Sequence, residues 1–186
     1  MIYAMKSFFN KSNFFSLALI LLTSIWVIFT AATNQENAGE IYSAPQKGFI
    51  APDFVLNDLS GKEYQLSSLQ GNIIIVNVWA SWCKPCQYEM PAMQEIYEKY
   101  KDSGLILLAV NNTYQDNVSD VLEFVRENNL TFPILLDVEG FVSDQYQVQA
   151  LPSTFFIDKA GKISEIVIGG PMSETLIESK IKELQE

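Results

Sequence analysis

Cys83 and Cys86 are the only thiols in this 186-residue chain, and they stand three positions apart in Cys83-Lys84-Pro85-Cys86. Thiols at i and i+3 in the first turn of a helix lie on one face, close enough to bridge. At a helix N-terminus the first of them meets unpaired backbone N–H groups and the positive end of the helix dipole, and both favour a thiolate. Thiols in such motifs ionise with pKa values of roughly 3.5 to 7.5, against about 8.5 when free. Cys83 is therefore the expected nucleophile, with the charge of Lys84 pushing the same way. Cys86, one turn into the helix, is expected to be more buried and to resolve. Attack of Cys83 on a substrate disulfide, then of Cys86 on Cys83, would release reduced substrate and leave an internal bridge. The chain has no third cysteine, so re-reduction must come from another molecule. A bare CxxC also serves as a structural staple or half a metal site. A bridge over so short a loop restrains little unfolded-chain entropy, however, and its setting favours redox work.

That setting is a strand before and a helix after. Asn72–Ala80 (NIIIVNVWA) is β-branched, highly apolar and too short for a membrane span, which fits a strand buried on both faces. From Cys86 to Lys101 the residues Met90, Met93, Ile96, Tyr97 and Tyr100 repeat at helical spacing, with Pro91 expected to bend the helix and Gly104 to end it. Leu105–Asn111 reads as a second buried strand, completing a β-α-β unit. A helix is expected near Asn117–Asn128, a strand at Phe132–Asp137 and a helical turn at Phe141–Tyr146. Thr154–Asp158 and Ile163–Ile168, joined by a short turn, are expected to pair antiparallel. Ser173 should cap a last amphipathic helix. Earlier, apolar pieces at Phe54–Leu56 and Tyr64–Leu66 flank Asp58–Gly61 as a hairpin. The fold class is α/β, a central mixed sheet flanked by helices with an N-terminal β-hairpin extension.

The bulk composition excludes much else. There is no histidine, which removes Ser–His and Cys–His nucleophile pairs and every His metal site, and two thiols alone cannot complete a zinc site. No metal and no separate cofactor are expected. Apart from Lys6 and Lys11, ten basic residues face twenty-two acidic ones, which disfavours nucleic acid and an anionic lipid surface. Nineteen consecutive residues, Phe14 to Ala32, carry no charge. At about 1.5 Å per helical residue they nearly span a hydrocarbon core of roughly 30 Å. Basic Lys6 and Lys11 before the run favour an N-in orientation. The expected organisation is a cytoplasmic N-terminus (1–13), a single transmembrane anchor (14–32), a polar tether (33–47) and one domain (48–186). A cleaved signal peptide ending near Thr30 and Ala32 is the alternative. Either way the domain lies outside the cytoplasm. No exposed apolar repeat calls for more than a monomer.

VNVWASWCKPC resembles the active site of the thioredoxin superfamily, and Ala150–Asp158 (ALPSTFFID) resembles its second signature. The resemblance implies a cis Pro152 beside the dithiol and a Leu151 whose backbone groups hold an extended substrate. Trp79 is read as core, and Trp82, Lys84 and Pro85 as the substrate-facing rim. From about Phe49 to the last helix, the pattern beginning APDFVLNDLSGKEYQLSSLQGN and running through the dithiol to CQYEMP is similar to TlpA/ResA-like membrane-anchored oxidoreductases. That group reduces particular protein disulfides outside the cytoplasm, often of apocytochrome c during cytochrome c maturation, with electrons from a CcdA- or DsbD-type membrane protein. Glu89 falls where several members carry a functional glutamate, so it joins Cys83 and Cys86 as a catalytic candidate. The plainer account of Glu89 is a solvated residue near the helix start. Two departures stand out. Asn77 replaces the buried Asp of cytoplasmic thioredoxins and cannot take a proton. Lys84 replaces a frequent Glu, which makes the site more electropositive and leaves open a disulfide-forming oxidase. A thiol peroxidase would need Pro and Thr or Ser where Val76 and Ala80 stand. A non-catalytic anchored adaptor is a further alternative.

Overall fold

The computed structural model describes residues 19–28 and 43–185, which belong to two compact units, Met1–Ile41 and Tyr42–Glu186. In the first unit, residues 19–28 form a helix (α1) whose side chains are exposed. Among the described residues no helix is long and apolar enough to cross a membrane. The ends of the expected anchor, 14–18 and 29–32, lie outside the described residues, as do 1–13 and 33–42.

The second unit is built around β3 (Ile73–Trp79), seven residues that are all buried. Alternation sends Ile73, Ile75 and Trp79 into one core and Ile74, Val76 and Val78 into another. Asn77 is the one polar residue of the strand and falls on the first of these faces. β4 (Leu105–Asn111) and β5 (Ile134–Leu136) extend the sheet in parallel on one side, and β6 (Ser153–Ile157) and β7 (Ile163–Ile168) extend it antiparallel on the other, in the order β5-β4-β3-β6-β7. The first face is covered by α2 (Lys84–Tyr100), α3 (Val118–Glu127) and α5 (Glu174–Gln185), through Met90, Met93 and Ile96, Val121, and Ile177 and Ile181. The other is covered by α4 (Phe141–Gln145), the Ala51–Phe54 segment and the turn at Leu66. The hairpin β1 (Val55–Asn57) and β2 (Glu63–Gln65) forms a separate two-stranded sheet. This is a thioredoxin-like α/β fold with a mixed central sheet.

Local chemistry sets the element ends. The helix expected from Cys86 begins at Lys84, because Pro85 in a first turn gives up an N–H that has no intrahelical partner anyway. Pro91 lies inside α2 without ending it. Gly104 closes the helical stretch at φ 83°, a left-handed conformation that suits glycine. The strand expected from Phe132 starts only at Ile134, after Pro133, which lacks a donor. Ser173 Oγ accepts from Leu176 N at 3.3 Å, the expected cap of α5. The end of the tether already engages the domain: Ser43 bridges Ile50, and Lys47 pairs with Glu165 at 2.9 Å.

On the second face Tyr146 lies edge-on against Phe54 and Phe155 and donates its hydroxyl to the buried Pro52 carbonyl at 2.7 Å. Tyr146→Phe keeps the ring contacts but orphans that carbonyl. It should lower unfolding stability by about 1–2 kcal/mol, seen in urea as an earlier midpoint with unchanged slope. An unchanged midpoint would contradict this.

Candidate active site

β3 lies between β4, which runs parallel to it, and β6, which runs antiparallel, so the end of β3, the end of β4 and the start of β6 meet at one edge of the sheet. The dithiol sits at that edge, between the two neighbours of β3. Cys83 caps α2: its backbone is extended, and its Sγ accepts from Cys86 N at 3.3 Å. The two cysteines form a disulfide, with Cα atoms 5.2 Å apart. Both are buried, Cys83 at 4% exposure and Cys86 at 0%. Only Cys83 borders the open groove of about 390 Å³ that runs over this edge.

The groove brings together the rim residues expected from the sequence. Trp82, Lys84 and Pro85 line it, with Val148, Gln149, Ala150 and Leu151 opposite and Asn112 and Gln115 at the end of β4. The Leu151–Pro152 peptide is cis, as the resemblance implied, and Pro152 is buried. Trp82 is 54% exposed and anchored by its indole N–H, which donates to Gln115 O at 2.9 Å; Trp79 is fully buried. The Lys84 ammonium lies in solvent and donates to Gln87 Oε1 at 3.1 Å, where water screens its pull on Cys83.

Glu89 is not the solvated residue of the plainer account. It lies one turn beyond Cys86 on the same helix face and has no exposed surface. Its Oε1 accepts from Asn77 Nδ2 at 2.8 Å and its Oε2 from Met172 N at 3.2 Å. Asn77 Nδ2 also donates to Thr154 Oγ1 at 2.9 Å, while Asn77 Oδ1 has no partner among the described residues. Burial pushes the carboxyl up to about 6, against the opposing hydrogen bonds from Met172 and Asn77. The polar break in β3 and the carboxyl of α2 thus face one another inside the core, behind the dithiol.

Several positioning residues were not singled out from the sequence. Asp116 accepts from Ser81 N and Ser81 Oγ, both at 2.6 Å, from Asn111 Nδ2 at 2.8 Å and from Asn117 N at 2.8 Å. It thereby ties the Ser81–Cys83 loop to the end of β4. Burial works against its charge, but hydrogen bonds from Asn111 and Ser81 outweigh this and hold the carboxyl below its usual range. Gly170 passes so close that an added Cβ would stand 2.8 Å from Glu89 Oε2 and 2.9 Å from Pro152 Cγ. The Gly169-Gly170-Pro171 run, whose second peptide is also cis, was the available signal for that close approach.

The AhpC/TSA family model matches residues 48–166. The thiol-disulfide oxidoreductase ResA of Geobacillus kaustophilus (strain HTA426) is 40% identical over 161 residues, covering 85% of this chain and 91% of its own. The chain belongs to the ResA-type thiol–disulfide oxidoreductases of the AhpC/TSA family. ResA of Bacillus anthracis is similar at 41% identity, over 70% of this chain and 75% of its own. Among solved structures, a DsbE-type thiol:disulfide interchange protein from Chlorobium tepidum superposes with a TM-score of 0.69 at 31% identity, over 76% of this chain and 99% of its own. StoA from Bacillus subtilis gives 0.62 at 29%, over 73% and 97%. In this ResA-type enzyme Ala80 offers no hydroxyl where a thiol peroxidase needs one and Val76 stands where it needs a proline, both of them fully buried.

The raised Glu89 carboxyl has a signed consequence for stability. Below about pH 4.5 it is neutral folded and unfolded, and its burial is tolerated. As pH rises through about 6 the folded state must hold a charge that the unfolded chain solvates, and stability is lost. At roughly 1.4 kcal/mol per pKa unit, the loss approaches 2 kcal/mol. Oxidised Glu89→Gln should therefore gain up to that much relative to wild type between acid and neutral pH, by urea unfolding. A constant difference across the range would count against a buried, titrating Glu89.

Proposed function

We propose that this oxidoreductase reduces disulfides of client polypeptides outside the cytoplasm. The observation that carries the reading is the unequal setting of the two sulfurs, Cys83 on the groove and Cys86 backed by a buried, titratable carboxyl. The Cys83 thiolate attacks one client sulfur; the client S–S bond breaks and the other client thiolate leaves. The client is then held by a mixed disulfide, its chain lying along Leu151 and the cis Pro152. Glu89 takes the Cys86 proton as that thiol becomes nucleophilic. Cys86 attacks Cys83 Sγ, the second client thiolate departs, and two electrons have passed from the dithiol to the client. Asn77 cannot accept this proton, but its Nδ2 donates to Glu89 Oε1, which keeps the carboxyl facing inward.

The regenerating electrons, on this reading, come from a CcdA- or DsbD-type membrane protein, since the chain holds no other thiol. The uncharged run from Phe14 to Ala32 behind Lys6 and Lys11 supports a single membrane anchor with the N-terminus inside. Apocytochrome c is the client class the family resemblance favours. Net disulfide formation is the second reading, and Lys84 favours it, because a nearby cation stabilises the reduced thiolate and makes the disulfide more oxidising. The solvent-facing position of Lys84 limits that effect.

Cys86→Ser should accumulate mixed disulfides between Cys83 and extracytoplasmic proteins, visible as adducts on non-reducing gels, whereas Cys83→Ser should form none and reduce nothing. Adducts forming through Cys86 in the Cys83→Ser variant would reverse the roles. A cellular function intact without either cysteine would favour the adaptor.

A further inference from the structure

Asn112 follows β4 directly, and its main chain is fixed. Its N–H donates to Trp79 O at 2.9 Å, and its C=O accepts from Gln115 N at 3.0 Å. Four hydrogen bonds to Asp116 hold the same loop against Ser81. The side chain is treated quite differently. Asn112 is 7% exposed and lines the groove beside Cys83, yet its Oδ1 is buried with no hydrogen-bond partner among the described residues. A buried polar atom left unpaired is costly and uncommon. Here it lies in the wall of the site, on a backbone held rigid around it.

The position defines what would satisfy it. β3 lies between β4 and β6, so Asn112 at the end of β4 and Leu151 at the entrance to β6 stand on opposite sides of the Cys83 edge. A chain joined to Cys83 would pass between them. Among the described residues no hydrogen bond holds the Asn112 amide, so none has to be broken for it to turn about its Cβ–Cγ bond and present its oxygen or its nitrogen to the groove. A side-chain amide carries the same donor and acceptor as a peptide group. It therefore recognises main chain and not a particular client side chain.

We propose that the Asn112 amide is a docking group for the client main chain, hydrogen-bonding a peptide group beside the client cysteine while that cysteine is joined to Cys83. The inference rests on the reading that clients are polypeptides. It makes Asn112 a binding residue opposite Leu151, and it gives the enzyme a preference for peptide disulfides over small ones.

The test compares exchange by the full-length protein, followed in either direction, with a disulfide-bonded peptide and with bis(hydroxyethyl) disulfide, which has no peptide group. In Asn112→Leu the ratio of kcat/KM for the peptide to that for the small disulfide should fall about tenfold, the equivalent of roughly 1.4 kcal/mol. Backbone N-methylation is then scanned across the residues flanking the peptide cysteine. At one position it should cost wild type about tenfold and cost Asn112→Leu nothing further. If Asn112→Leu does not fold, Asn112→Ser carries the same comparisons. A ratio within twofold of wild type, with no methylated position coupled to residue 112, overturns the inference alone. Wild type exchanging with the small disulfide but with no peptide disulfide overturns the client reading, and this inference with it.

Discussion

A strand buried on both faces needs two layers of cover, and β3 is such a strand along its whole length. Its partners have no freedom to leave one side open. α2, α3 and α5 close one face, and α4, the Ala51–Phe54 segment and the Leu66 turn close the other. Parallel pairing with β4 requires a crossover, and α2 supplies it, so the helix must start where β3 ends. The dithiol occupies that forced junction. Cys83 accordingly receives a backbone N–H from the first helical turn, and Cys86 is carried inward with the apolar face of the helix. The unequal setting of the two sulfurs is thus a by-product of burying seven residues.

The same junction accounts for Glu89. The helix face that buries Cys86 also buries the side chain one turn later, and a carboxyl there would be untenable against an unbroken apolar strand. Asn77 interrupts the strand at the matching point, and the β7–α5 loop contributes Met172 N. Gly170 lets that loop come close enough to do so. Two donors are enough to keep the carboxyl inside and too few to hold it ionised at its ordinary value, which leaves it titrating near neutrality. On the proposed mechanism, a proton acceptor behind Cys86 is useful only in that range.

Much of this was legible from residue order. The apolar runs marked β3 and β4, the hairpin showed in its turn residues, and the CxxC spacing placed both sulfurs on one helix face. Shifts at element ends trace to single prolines: Pro85 admitted the helix early, and Pro133 delayed β5. What stayed hidden depended on contacts between distant segments. Spacing placed Glu89 beneath Cys86 but could not tell a buried carboxyl from a solvated one, since its partners lie 12 and 83 residues away. Asp116 is an ordinary polar loop residue until Ser81 is brought to it from 35 positions away. Asn112 is one of several polar residues after β4, and only the fold shows that its amide oxygen is unpaired beside the groove. The N-terminal run is legible by composition alone, as its ends lie outside the described residues.

The central claim is that the helix start makes Cys83 the reactive sulfur and the core makes Cys86 the reserved one. Alkylating the reduced, full-length protein with iodoacetamide near neutral pH, and locating the label by mass spectrometry at successive times, tests it directly. Label should appear on Cys83 first and reach Cys86 only slowly. Equal labelling of the two, or Cys86 labelled ahead of Cys83, would contradict the account.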